Sequence, residues 1–207
     1  FPTKELLFHS PFIKLECPKQ IFRDKDIIIA MVCSAADIVL PSGTFITIIP
    51  FDVAALLGCA VTTGLGIAFN DAELSPGQSI AVFGVGGVGV NVIQGAALVN
   101  AYPIVAIDLH DHKLEHAVAM GATHTVNAST QDVAAFLRDL VGPNGFDATV
   151  DVTGNTSVRQ SAYNATSNIG RTIFAGVPHH EEQITIDSFP LHFGRRVVGS
   201  HGGETNP

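Results

Sequence analysis

A six-residue glycine turn narrows the folds open to this sequence, because of what stands on either side of it. The short apolar run Ile80-Ala81-Val82-Phe83 leads straight into Gly84-Val85-Gly86-Gly87-Val88-Gly89, and helical character follows from Val90 to Leu98. Four apolar residues closed by turn residues read as a buried strand, so the glycines stand where a strand turns directly into a helix. Each then has a mechanical task. Gly84 permits the tight turn, Gly86 lets a ligand approach the backbone, and Gly89 lets helix and strand pack closely. The first N–H groups of the helix lack intrahelical partners and sit at its positive dipole end, which suits an anionic diphosphate. The plain alternative is a glycine-rich turn that binds nothing.

The rest of the chain repeats the strand-then-helix alternation. Strands are expected at 79–83, 104–108, 124–127, 148–152, 172–175 and 196–200, with helices near 87–100, 111–120, 130–141 and 155–166. Buried apolar strands joined by crossovers of this length predict a parallel sheet with helices on both faces. The fold class is therefore α/β, a Rossmann-type doubly wound sheet of six strands over residues 68–203. Residues 1–67 read as a separate segment. Its first 50 residues carry short β-rich runs at 27–30 and 45–49 among prolines, and 52–70 read as two helices around a glycine-rich break at 58–66. Residues 201–207 read as a loop, after which another element is expected.

The second strand ends at Asp108, 19 residues beyond Gly89, where a carboxylate can accept hydrogen bonds from ribose hydroxyls. The same carboxylate repels a 2′-phosphate, and the neighbouring Leu109 and His110 offer no arginine for one, so NAD is expected rather than NADP. Asp108 could equally serve as a helix cap. Lys113 is within reach of the same ribose, although an exposed helical lysine is commonly just solvated. Asp151-Val152-Thr153-Gly154 follows a later strand into the same cleft, with the backbone around Val152 expected to line it.

Charge and composition exclude several partner classes. The formal net charge is -8 and the 11 Lys and Arg are scattered, which speaks against nucleic acid and anionic membrane. No apolar run reaches the roughly 18 residues of a spanning helix, and the opening FPTKELLFHS has no basic n-region or long apolar h-region. The first residue is not Met, as expected after processing, tag removal or at a fragment boundary. Three cysteines, Cys17, Cys33 and Cys59, are an odd count that argues against a disulfide framework and for a reducing, cytoplasmic setting.

Taken together, several segments resemble the zinc-containing medium-chain alcohol dehydrogenases. They are Leu57-Gly58-Cys59-Ala60-Val61-Thr62-Thr63-Gly64, the glycine turn with its strand, Val105-Ala106-Ile107-Asp108, Met120-Gly121-Ala122-Thr123 and Ala175-Gly176-Val177-Pro178. The resemblance runs from about Phe51 to about Gly203. It implies hydride transfer between an alcohol or aldehyde and NAD, with zinc as Lewis acid. It implies that Cys59 is a catalytic zinc ligand, that Thr63 lies by the nicotinamide, and that Val88 packs on its ring. It further implies that Ala175, Val177 and Ser200 approach the carboxamide through backbone, with Gly84, Gly86, Gly87, Val88, Gly89, Asp108, Lys113 and Val152 around the rest of the coenzyme.

The family's complete members carry a GroES-like catalytic domain of more than a hundred residues, of which residues 1–67 would be a partial or rearranged remnant. A catalytic zinc needs three protein ligands, and the matching segments supply only Cys59. Two other readings follow from that shortage: a truncated module that binds dinucleotide without turnover, and a zinc-independent reductase of the quinone-reductase type, which would not need Cys59. His112 and His116, four apart on a helix, and His179-His180 before Glu181-Glu182 read as solvated groups rather than metal ligands, and Cys33 as a buried small hydrophobe. An edge strand at 196–200 would favour a homodimer.

Overall fold

The computed structural model of the chain describes residues 37–39, 45–47 and 56–204. The strand expected at 27–30 and the residues Cys17 and Cys33 lie outside these. Two units are present, residues 1–60 with Pro207, and residues 61–206. In the first, β1 (Asp37–Val39) pairs antiparallel with β2 (Phe45–Thr47).

The second unit is built on a six-stranded sheet of β3 (Ile80–Phe83), β4 (Ile104–Asp108), β5 (His124–Asn127), β6 (Phe146–Asp151), β7 (Thr166–Phe174) and β8 (Arg196–Gly199). Their spatial order is β5-β4-β3-β6-β7-β8 and every pair is parallel. This is the doubly wound arrangement that the alternation predicts. Successive strand residues face opposite sides, so β3 sends Ile80 and Val82 into one core and Ala81 and Phe83 into the other. β4 divides likewise, with Ile104 and Ala106 on one side and Val105 and Ile107 on the other. Both faces are thus apolar and both need covering.

Helices α2 (Gly87–Leu98) and α3 (Asp111–Ala119) cover the first face, burying Val92, Ile93, Ala96, Leu114 and Ala117. On the opposite face lie α4 (Val133–Val141) and α5 (Thr156–Ala165), which bury Leu137 and Ala162. Asp132 caps α4 by accepting from the Ala135 amide at 3.0 Å, and Asn155 caps α5 by accepting from the Ser157 amide at 2.9 Å. Each fully buried Val or Ile side chain contributes roughly 1.5–3 kcal/mol.

Two expectations change. Residues 57–71 are not two helices around a break. A π-helical turn (Leu57–Val61), α1 (Thr62–Gly66) and a second π-helical turn (Ile67–Asp71) follow one another without interruption. The glycines serve close helix packing: a Cβ on Gly64 would collide with the Asn91 side chain and stand 2.7 Å from the Val88 carbonyl oxygen, and one on Gly95 would stand 2.7 Å from Ala68 Cβ. The strand expected from residue 172 also begins earlier. β7 starts at Thr166, directly after α5, and its pairing with β6 shifts register between Phe146 and Ala148.

Candidate functional site

From β3 the chain runs outward through β4 and β5 and then returns to β6 on the other side of β3. The connections after β3 and β6 therefore diverge, leaving a crevice at the strands' carboxyl ends, where open α/β sheets bind ligands. The glycine turn forms one wall. Gly84 adopts φ +95°, in the left-handed region, and donates its N–H to the Ile107 carbonyl at 2.8 Å. Gly86 caps α2 without a side chain, is exposed, and has nothing within 4 Å of where a Cβ would stand. Gly87, also exposed, opens the helix. At Gly89 any Cβ would collide with the Gly84 carbonyl oxygen and stand 3.2 Å from Val152 Cγ2, so strand, turn and helix close only with glycine there. Open space at Gly86 and the uncapped first turn of α2 fit a diphosphate on the backbone.

At the end of β4, Asp108 reaches back to this turn. Its Oδ2 accepts from the Val85 amide at 2.8 Å, and its Oδ1 accepts from the amides of Leu109 at 2.8 Å and His110 at 3.2 Å. Lys113 Nζ lies 3.5 Å from Oδ1. Burial alone would raise the Asp108 pKa, but the Val85 amide, the Lys113 charge and the Leu109 and His110 amides outweigh it and hold it below the ordinary value. Asp108 is thus an anion beside the glycine turn, with Lys113 as its counter-charge.

The opposite wall is the turn after β6. Val152 donates its N–H to the Phe83 carbonyl at 3.1 Å and lays its side chain against Gly84 and Gly89. Asp151, fully buried, accepts at Oδ1 from the Thr153 amide at 2.9 Å and hydroxyl at 2.6 Å, and at Oδ2 from the Gly154 amide at 3.2 Å. Its second partner at Oδ2 is Arg159 Nε at 3.2 Å. Sequence reasoning leaves the Asp151 side chain without a role and passes over Arg159. The available signal is an acid at a strand end followed, eight residues on, by a base in the next helix.

The connections after β7 and β8 end at the same edge of the sheet. Ala175 and Gly176 both donate to the Asp151 carbonyl at 2.9 Å, Val177 is 88% exposed, and the Ser200 amide donates to the Phe174 carbonyl at 3.0 Å. Thr63 in α1 places its carbonyl against Gly203, just past Ser200, while the next residue, Gly64, packs on Val88. Thr63, Val88, Val152, Ala175 and Ser200 therefore all belong to segments at the carboxyl ends of β3, β6, β7 and β8 or packed beside them. Cys59 is exposed. Among the described residues no group of three or more His, Cys, Asp or Glu is placed to hold a metal ion, and His112 and His116 are exposed. No helix among the described residues is long and apolar enough to cross a membrane.

Residues 87–207 match the sequence profile of the family described as zinc-binding dehydrogenase. The chain is 41% identical over 160 residues to S-(hydroxymethyl)glutathione dehydrogenase of Saccharomyces cerevisiae, covering 74% of this chain and 41% of that protein. It thus spans about two fifths of the length of the curated relatives it matches. Among solved structures, benzyl alcohol dehydrogenase from Acinetobacter calcoaceticus superposes with a TM-score of 0.72 at 27% identity, over 78% of this chain and 45% of that one. A structure from Sinorhizobium meliloti 1021 bound to NADP superposes with a TM-score of 0.66 at 25% identity, over 71% and 43% respectively.

Proposed function

Because the chain belongs to the zinc-binding dehydrogenase family, we propose that it is the coenzyme-binding part of an NAD-dependent alcohol dehydrogenase, acting on a small alcohol or aldehyde. The observation that carries the choice of coenzyme is Asp108, an anion held 2.8 Å from the Val85 amide beside the glycine turn. There it would accept from the ribose hydroxyls and repel a 2′-phosphate. Lys113 would meet the same ribose, and the amides of Gly87, Val88 and Gly89 would hold the diphosphate. Val88, Thr63, Val152, Ala175, Val177 and Ser200 would then orient the nicotinamide half. A bound nicotinamide supplies the hydride acceptor, and this chain's residues aim it.

For zinc, Cys59 is the one ligand the resemblance provides, and the described residues do not complete a three-ligand set. We place the protein in the cytoplasm, on the odd cysteine count. Its partner would be a second copy, because β8 is a sheet edge with Val197, Phe189 and Phe193 exposed around it.

The reading is tested by fluorescence titration of NADH into the purified chain, which has no Trp to obscure the signal. Saturable binding is expected. A flat titration would contradict the proposal.

A further inference from the structure

Among the described residues, the guanidinium of Arg159 is a part-buried cation beside the crevice with no role in the coenzyme contacts proposed so far. Its side chain is 14% exposed, in the first turn of α5. It makes three contacts in different directions. Nε donates to Asp151 Oδ2 at 3.2 Å, a terminal N–H donates to the Gly176 carbonyl, and the plane lies over the Phe174 ring, 5.0 Å from its centroid. Asp151 closes the turn after β6, and Phe174 and Gly176 flank the exit from β7. One side chain thus ties two adjacent strand ends together.

Those two ends have no slack. A Cβ on Gly154, which adopts φ +75°, would collide with the Val177 carbonyl, and one on Gly176 would collide with the Gly154 amide. Capturing the Gly176 carbonyl also fixes the planar peptide unit it belongs to, so the Val177 N–H on that unit must point the opposite way from Arg159. Only a planar fork can serve a carboxylate and a carbonyl at once while stacking on a ring.

We propose that Arg159 is a positioning residue for the nicotinamide half of the coenzyme: it sets the Ala175–Val177 backbone against which that half lies, without touching the ligand. The inference rests on the coenzyme reading above. It predicts a split between the two halves of the dinucleotide, since among the described residues Arg159 bonds to Asp151 and Gly176 and not to the glycine turn or Asp108, which would serve the adenosine and diphosphate.

The test is calorimetric titration of NADH and of ADP-ribose, which lacks nicotinamide, into the wild-type chain and Arg159→Lys. Lysine keeps the positive charge beside Asp151 but offers no fork. The variant should weaken NADH about tenfold, the scale of one charge-assisted hydrogen bond, and leave ADP-ribose within about twofold. Unchanged NADH binding overturns the inference, and so does equal weakening of both ligands, which marks a merely structural role. Should Arg159→Lys fail to fold, Asp151→Asn combined with Arg159→Gln removes both charges together and is held to the same split. A wild-type chain that binds neither ligand overturns the coenzyme reading and this inference with it. One that binds ADP-ribose as tightly as NADH overturns this inference alone.

Discussion

Three buried carboxyl groups in this fold show how the same residue type takes different parts according to its donors. Asp108 and Asp151 are each surrounded by amide N–H groups and paired with a base. Asp71, at the end of the second π-helical turn, is 5% exposed, and its Oδ2 has no hydrogen-bond partner among the described residues. Burial raises the Asp71 pKa above its ordinary value. The Ser200 hydroxyl opposes that shift by hydrogen bonding, and the Glu204 charge adds to it. A raised folded-state pKa contributes stability that is present below the unfolded value and is lost as pH rises through the folded one. Asp71→Asn carries no charge at any pH. Thermal unfolding should therefore show wild type losing ground to Asp71→Asn as pH goes from about 4 to about 8. Parallel pH profiles would contradict the assignment. Asp108 runs the other way. Its pKa is depressed, so its contribution is present at neutral pH and fades only as pH falls through the folded value.

At the scale of elements, the strands and helices of the sheet were legible because buried apolar runs and helical periodicity agree with the glycine turn between them. Two things were not. Glycines at 58, 64 and 66 look like a break in one dimension, and only the packed structure reveals Gly64 as the point where α1 meets α2. Likewise, nothing local announces that β7 begins directly after α5, because Thr166 is held by the Thr149 hydroxyl of the neighbouring strand β6 at 2.7 Å. The Asp151–Arg159 pair was hidden for the same reason, as an ion pair across a turn leaves no periodic trace. Gly64→Ala should push α1 off α2 at Val88 and Asn91, costing about 1–3 kcal/mol in urea unfolding and weakening NADH through the displaced helix start. A variant as stable as wild type would mean that the helices have room to part.

Over the whole molecule, the candidate site is a consequence of topology. The order β5-β4-β3-β6-β7-β8 puts the ends of β3, β4 and β6 around one crevice, so residues as distant in sequence as Gly86, Asp108 and Val152 serve one ligand. The glycine turn and the acid after the second strand could be read from sequence because their spacing is set locally. The Asp108 contact to Val85 could not, since it spans two strands. The most direct test of the account compares NADH and NADPH affinities for wild type and Asp108→Asn by fluorescence titration. Wild type should favour NADH by at least about tenfold, or about 1.4 kcal/mol, and Asp108→Asn should bring the two within about twofold, since the variant removes the charge that repels the 2′-phosphate. A wild-type chain indifferent to that phosphate, or a variant that keeps the full preference, would contradict it.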